Sequence, residues 1–213
     1  MKRAKSIKQY LKKIWYFLWE DDSLISWVAS VVFAFLLIKF IIFPGLGLIL
    51  GTKFPIVAVV SGSMEHSVDN GGFLCGKKPE NYTKNFDNWW EVCGGFYEGR
   101  GISKEEFRLY PLSDGFNTGD IITLRGIKFT DIKIGDVIVF TNSCRNEPII
   151  HRVVEKDDTI TTKGDHNAQI GKNGVGGCDE DIAEDEIYGK ALFRIPYLGY
   201  LKKIVIDVAS SYW

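Results

Sequence analysis

The longest apolar run of the chain spans residues 24–43, close to the N-terminus. Its polar or charged interruptions are Ser26, Ser30 and Lys39. As an α-helix this run would be about 30 Å long, which is enough to cross the hydrocarbon core of a bilayer. Pro44 and Gly45 come next and are expected to end the helix. The pattern therefore predicts one transmembrane helix over residues 23–44.

A buried core helix and a cleavable signal peptide are the alternatives to a membrane helix for this run. The apolar part of a signal peptide is usually shorter, and no alanine-type cleavage site follows this run. Trp15, Trp19 and Trp27 surround one end, where their amphipathic rings favour the membrane interface. Lys39 lies near the other end and can extend its ammonium outward to water. A retained membrane helix is the preferred interpretation.

The segment before the run is basic. Residues 1–19 contain no acidic side chain, and their six basic residues are Lys2, Arg3, Lys5, Lys8, Lys12 and Lys13. Cations that flank a first membrane helix stay on the cytoplasmic side. We therefore expect residues 1–22 to form a cytoplasmic arm and residues 45–213 to lie outside the cytoplasm, on a single-pass protein of the cell membrane.

After residue 45 the chain shows short β-branched apolar runs separated by Gly, Asp and Asn, a pattern typical of strands. These runs cover residues 54–60, 121–124, 137–141, 149–154, 159–163 and 187–193. No long amphipathic helix lies among them, so the pattern predicts a mainly β domain.

Residues 69–117 differ from the rest of this domain, because they are rich in Gly, Asn, aromatic and charged residues, with Trp89 and Trp90 at the centre. We interpret them as a small inserted subdomain. Its aromatic side chains would either form a core of their own or contact a substrate or lipid, and a core is the preferred interpretation. Residues 171–178 are glycine-rich and predict a second, flexible loop.

The four cysteines lack Cys-x-x-Cys spacing, and an even number of cysteines in an extracytoplasmic domain indicates disulfides. Of the three ways to pair them, Cys75 with Cys93 and Cys144 with Cys178 is preferred, and a zinc site is the alternative. Asn81 begins an Asn-Tyr-Thr sequon that could accept a glycan.

The overall charge and the remaining motifs narrow the function. The net charge of −1 and the pI of about 6.3 give no indication of a nucleic-acid partner. No motif indicates a cofactor. A metal site built from His66, His151, His166 and Asp165 is an alternative that remains open.

A candidate nucleophile follows the first predicted strand, in the turn Ser61-Gly62-Ser63. A serine that ends an apolar strand after a glycine can present its hydroxyl at the edge of a domain. The Ser63 N–H and the Ser61 hydroxyl would then both be able to donate to an oxyanion. Such turns are common and usually have no catalytic role, so a nucleophile is indicated only if a general base is also present.

Three histidines could supply that base. His151 lies inside an apolar strand, where a titratable ring needs a partner. His66 follows Ser63 by only three residues, too close to approach its hydroxyl from the far side, and His166 lies in a turn after a strand. His151 is therefore the candidate general base, and a structural histidine is the alternative.

Five ordered blocks behind one N-terminal anchor resemble type I signal peptidases of the archaeal and endoplasmic-reticulum branch. The blocks are residues 59–65 (Val-Val-Ser-Gly-Ser-Met-Glu), 117–121, 134–140, 149–154 and 162–167, with a shorter match at 188–190. They cover roughly half of the chain. The resemblance implies a signal-peptidase-like β domain that works as a serine endopeptidase.

The resemblance also implies the roles of individual residues. Ser63 would be the nucleophile, and Ser61 would help Ser63 to form the oxyanion hole. His151 stands where bacterial relatives have a lysine base, and an imidazole already titrates near neutral pH. Asp165 matches the aspartate of a Gly-Asp block and is expected to order the site. The implied partners are secretory preproteins with small residues at the cleavage site, membrane lipid and the protein translocation machinery.

The chain departs from the family pattern at two places. His66 occupies a position where the family usually has proline. Relatives carry a second aspartate soon after the Gly-Asp block, whereas residues 168–178 contain no acidic residue here. Asp179 and Asp181 come next, and either could orient His151 if the glycine-rich stretch is a loop insertion. Asp179 is slightly preferred.

Two further functions remain open. One is a membrane-tethered binding ectodomain in which Ser63 and His151 have structural roles. The other is a related serine protease that cleaves itself or a few dedicated partners. The ordered blocks favour a signal peptidase over both.

Overall fold

The computed structural model describes residues 2–171 and 178–196. The chain divides into two units, Met1–Ile49 and Leu50–Trp213. Most of the predicted glycine-rich loop, residues 172–177, lies outside the described residues.

The N-terminal unit is helical. Helix α1 (Lys2–Trp19) comes first, and the Ser23 hydroxyl then caps the next helix by accepting a hydrogen bond from the Ser26 N–H (3.2 Å). That continuous helix of 27 residues consists of α2 (Leu24–Leu37), a π-helical turn (Ile38–Ile42) and α3 (Phe43–Leu50). Its mean hydropathy of 2.5 and its length are sufficient to cross a membrane, and its most apolar stretch contributes no buried residue within the described structure.

The long helix continues through Pro44 and Gly45, which were expected to end it. That expectation was wrong because a π-helical turn precedes the proline, and there the Phe43 N–H bonds the Ile38 carbonyl, five residues back. In a regular α-helix the proline ring would clash with the carbonyl four residues earlier, and a wider turn moves that carbonyl aside. The helix ends instead before Gly51, whose φ of 65° is left-handed.

The C-terminal unit is built on a six-stranded antiparallel sheet, which confirms the predicted mainly β domain. The strands are β1 (Ile56–Ala58), β2 (Ile121–Arg125), β3 (Val137–Asn142), β4 (Arg145–Lys156), β5 (Ile160–Lys163) and β6 (Ile187–Ile195). Their order across the sheet is β1-β2-β6-β3-β4-β5. All six predicted runs therefore contribute a strand.

Strand β3 is buried on both of its faces. Val137 and Val139 belong to one hydrophobic cluster, whereas Ile138 and Phe140 belong to another. Successive side chains of a strand point to opposite faces. The uninterrupted apolar sequence of β3 is thus explained by cover on both sides of the sheet.

The segment predicted as an insertion contains three short helices, whose aromatic side chains form a hydrophobic cluster with Val154 of β4. Its helices are α4 (Phe86–Cys93), α5 (Gly95–Glu98) and α6 (Lys104–Arg108). Trp89, Tyr97 and Phe107 are fully buried, with ring centroids 4.7–5.9 Å apart. As the preferred interpretation predicted, the central aromatic residues form a core.

Two disulfides tie the loops of this unit together. Cys75 is bonded to Cys93, with the Cα atoms 5.6 Å apart, and Cys144 is bonded to Cys178, with the Cα atoms 5.9 Å apart. The first lies at the base of the insertion, where the Cys75 N–H donates to the His166 carbonyl (3.0 Å). The second tethers the β3–β4 turn to the end of the glycine-rich stretch.

Replacing Cys75 and Cys93 together by serine is expected to lower the free energy of unfolding of this unit by about 3 kcal/mol, because the bond closes a loop over 18 residues of the unfolded chain. Urea denaturation in detergent, followed by tryptophan fluorescence, would measure the difference from the wild type. An unchanged unfolding curve would contradict the prediction.

Candidate active site

Ser63 lies in a tight turn after β1, in which the Glu65 N–H donates to the Gly62 carbonyl (3.0 Å). Ser63 itself is half-buried, and the next side chain, Met64, is buried in the core of the sheet. The Ser61 hydroxyl oxygen lies 3.3 Å from that of Ser63. Met64 therefore anchors the turn, while both serine hydroxyls stay accessible.

His151 lies on β4, opposite Ile138 of β3, and only 8% of its surface is exposed. Its Nδ1 forms a hydrogen bond with Oδ1 of Asp179. An ionised carboxylate can only accept, so Nδ1 carries the hydrogen and the neutral ring has its free lone pair on Nε2. This arrangement leaves Nε2 able to accept a proton.

Asp179 is buried and held on every side. Besides the bond from His151, its carboxylate accepts from the Thr162 hydroxyl (2.9 Å) and from the Gly171 N–H (3.0 Å). Its backbone carbonyl accepts from the Thr162 N–H (2.7 Å), and its N–H donates to the Gly171 carbonyl (2.9 Å). Burial would raise the pKa of this carboxyl, but the hydrogen bonds, above all that from His151, lower the pKa below its usual value.

Gly164 lies where the serine turn and the imidazole approach each other. A Cβ at this position would be 2.6 Å from the Ser63 carbonyl oxygen and 2.9 Å from Nε2 of His151, so no side chain fits. The buried Lys163 ammonium donates to the Gly164 carbonyl (3.0 Å), and burial lowers the pKa of Lys163 to about 8. The Ser63 backbone and the His151 ring thus face the same glycine.

A cleft of about 290 Å³ connects the candidate residues. Ser61, Ser63, His151 and Asp179 all line it. The rest of its wall includes the apolar residues Ala58, Val60, Pro148, Ile149 and Ile150 and the polar residues Glu147 and Asn167. A serine hydroxyl, an oriented imidazole and an apolar groove are the parts that acyl transfer on a peptide requires.

Asp165 lies in a second, fully buried network. Its carboxylate accepts from Nε (2.9 Å) and Nη2 (2.7 Å) of Arg152, from the Tyr97 hydroxyl (3.0 Å) and from Nε2 of His66 (3.1 Å). Burial would raise the pKa of this carboxyl, but the charge of Arg152 and the hydrogen bonds hold the pKa far below its usual range. Asp165 therefore stays ionised inside the protein.

The three candidate acids thus have different surroundings. Asp179 contacts His151 and Asp165 contacts Arg152, whereas Asp181 is exposed and has a φ of 57°. Among the residues of the metal alternative, His66 binds Asp165 and His151 binds Asp179. Within the described ranges, no group of three or more metal-ligating side chains comes together.

Arg152 is not among the residues predicted from the sequence, although its position carries a signal. A charged residue inside an apolar strand has to be paired when the strand is buried. Arg152 is fully buried, and its guanidinium lies 4.7 Å from the Phe107 ring. The role of His66 was also missed, because its ring stacks on Trp89 of the insertion (centroids 3.8 Å apart, planes 2° apart), a contact that no local pattern predicts.

Asp165→Asn is expected to lower the free energy of unfolding by about 3–5 kcal/mol at neutral pH, because it leaves the Arg152 charge buried without a counterion. Since the folded pKa of Asp165 lies below the unfolded value, its contribution is present above about pH 4 and is lost as the pH falls. Urea denaturation between about pH 2.5 and 7 would test this.

The control is Asp158→Asn, which changes an exposed carboxylate in the turn after β4 and should leave stability unchanged. An acid dependence of equal slope in the wild type and Asp165→Asn would contradict the prediction.

No family model matches this chain. The signal peptidase complex catalytic subunit SEC11C of Homo sapiens, and that of Canis lupus familiaris, is 29% identical over 103 residues, covering 45% of this chain and 53% of the relative. The catalytic subunit SEC11 of Colletotrichum graminicola is 28% identical over 97 residues, covering 42% of this chain and 56% of the relative.

The chain thus spans about half the length of the curated relatives that it matches. All three are catalytic subunits of signal peptidase. They confirm the recognition made from the ordered motifs: the chain is similar to the type I signal peptidases of the endoplasmic-reticulum and archaeal branch.

Proposed function

We propose that this protein is a membrane-bound serine endopeptidase of the signal peptidase I type, which removes N-terminal signal peptides from secretory preproteins. The observation that carries the proposal is the hydrogen bond between His151 and Asp179, in a cleft that Ser63 also lines. The similarity to signal peptidase catalytic subunits supports the same activity.

In the proposed reaction, Nε2 of His151 takes the Ser63 hydroxyl proton while Oγ attacks the scissile carbonyl. The carbonyl oxygen becomes an oxyanion, and His151 then donates the proton to the leaving amine as the peptide bond breaks. Water, deprotonated by the same imidazole, hydrolyses the resulting ester and regenerates Ser63. Asp179 stabilises the imidazolium and keeps Nδ1 protonated throughout.

The oxyanion would be bound by the Ser63 N–H and by the Ser61 hydroxyl. Support comes from the 3.3 Å separation of the two serine hydroxyl oxygens, which brings a second donor beside the reacting atom. Preorganisation is provided by Met64, which anchors the turn in the core.

The proposed substrates are preproteins with small residues one and three positions before the cut, as the resemblance to type I signal peptidases implies. The apolar part of the cleft wall, which includes Ala58 and Val60, supports the binding of small apolar side chains there. The helix Leu24–Leu50 would anchor the enzyme in the membrane where signal peptides emerge, with residues 1–22 on the cytoplasmic side and the β domain outside. The translocation machinery is a proposed partner.

Ser63→Ala is expected to lower kcat by about 10⁶-fold, because the nucleophile is lost. Ser61→Ala should lower kcat by about 10²–10³-fold with little change in KM, as expected for one oxyanion donor. Cleavage of a preprotein whose signal ends in Ala-x-Ala, measured in detergent, would test both.

The two alternative functions predict different results. Full function of Ser63→Ala would indicate a binding ectodomain. Fragments of the purified chain in mass spectrometry would indicate a self-cleaving protease.

Asp179→Asn is expected to lower kcat by about 10⁴-fold, because an amide no longer fixes the productive tautomer of His151. Asp181→Asn is the matched control, two residues away and exposed, and should cleave at the wild-type rate. Equal losses in the two variants, measured in the same preprotein assay, would refute the role of Asp179.

A further inference from the structure

Helix α1 has two unlike faces. Apolar residues recur along one face at the spacing of helical turns, and they are Ile7, Leu11, Ile14 and Leu18. Ile7, Leu11 and Ile14 expose 61%, 61% and 55% of their surfaces. The rest of the helix surface carries the polar and basic side chains Lys8, Gln9, Lys12, Lys13 and Tyr16, together with the aromatic residues Tyr10, Trp15, Phe17 and Trp19. Apolar side chains this exposed indicate that another apolar surface covers this face.

Hydrogen bonds join the end of α1 to α2, and they provide partners for carbonyls of the last turn of α1 that would otherwise bond water. The last carbonyls of a helix have no partner within it. In α1, the Phe17 carbonyl accepts from the Ser26 hydroxyl, and the Leu18 carbonyl accepts from the Ser30 hydroxyl (2.5 Å). The last turn of α1 therefore lies beside the first two turns of α2 with these carbonyls satisfied.

The contact between α1 and α2 determines how deep α1 would lie in a bilayer that the long helix crosses. Ser26 and Ser30 lie within about 10 Å of the start of the helix that can cross a membrane. An amphipathic helix on a bilayer buries its apolar face about 5–10 Å into the boundary between headgroups and acyl chains. The stacked rings of Trp15 and Trp19, 4.8 Å apart, lie at the same end, and such rings favour that boundary.

The charge of α1 identifies the kind of lipid. Lys8, Lys12 and Lys13 are exposed, and no acidic residue occurs within the helix. The acidic residues 20–22 follow its last turn. Cations beside an embedded apolar face attract anionic headgroups.

We propose that α1 is a membrane-surface helix that binds anionic lipid headgroups of the bilayer that holds α2. Its apolar face enters the bilayer boundary, and its lysines contact the headgroups. The helix thereby restrains the depth and the rotation of the membrane anchor, because α1 is bonded to α2 through the two serines.

The test uses the full chain in liposomes, with a nitroxide label on Ile14→Cys or on Gln9→Cys. The four native cysteines are in disulfides and do not compete for the label. In liposomes of phosphatidylcholine with phosphatidylglycerol, the label at position 14 should become several-fold less accessible to a water-soluble nickel reagent and more accessible to oxygen. The label at position 9, on the opposite face, should stay accessible to nickel.

The charge is tested by Lys8→Gln, Lys12→Gln and Lys13→Gln together in the Ile14→Cys protein. Each lysine near an anionic surface contributes about a fivefold factor to binding, so the protection should largely disappear. Equal nickel accessibility at positions 9 and 14 would overturn the proposal. So would protection that survives the three substitutions, or protection that rises with the protein-to-lipid ratio, which would indicate a second copy of the chain.

Discussion

The C-terminal unit depends on the hydrogen bonds and the ion pair that the buried guanidinium of Arg152 forms. All five of its N–H donors are used, in bonds to the Asp165 carboxylate and to the carbonyls of Pro111, Leu112 and Gly135. These acceptors come from the turn after β5, the end of the insertion and the loop before β3. Because removing one partner would leave a buried charge uncompensated, the segments that meet beneath the cleft keep fixed positions.

Strand β4 connects the Arg152 network to the candidate active site. Successive residues of a strand point to opposite faces, so His151 faces the cleft while Arg152 faces the interior. On the other side, Asp165 directly follows Gly164, the residue between the Ser63 backbone and the imidazole. The His151 ring and the serine turn therefore both adjoin this ion pair: His151 precedes Arg152 in the chain, and the Asp165 N–H contacts Sδ of Met64 in the turn (3.4 Å).

His66, at a position where the resemblance implies a proline, joins the segment 69–117 to Asp165. The His66 ring donates to Asp165 and stacks on Trp89, which is fully buried in the insertion. A proline at this position could do neither, since it has no side-chain donor and no conjugated ring. The Tyr97 hydroxyl adds a second bond from the insertion to Asp165. The extra subdomain thus packs onto the residues that hold the serine turn.

Local pattern by itself determined the long apolar helix, the six strands, the aromatic cluster of residues 86–107 and the candidate pair Ser63 and His151, because each depends on a short stretch of sequence. Tertiary structure alone decided where the long helix ends, since the π-helical turn makes room for Pro44. Tertiary structure also decided which aspartate contacts His151. Asp179 and Asp181 are two residues apart and chemically alike, yet backbone bonds to Thr162 and Gly171 bring only the former, of these two, to His151. Such long-range pairing leaves no trace in local composition.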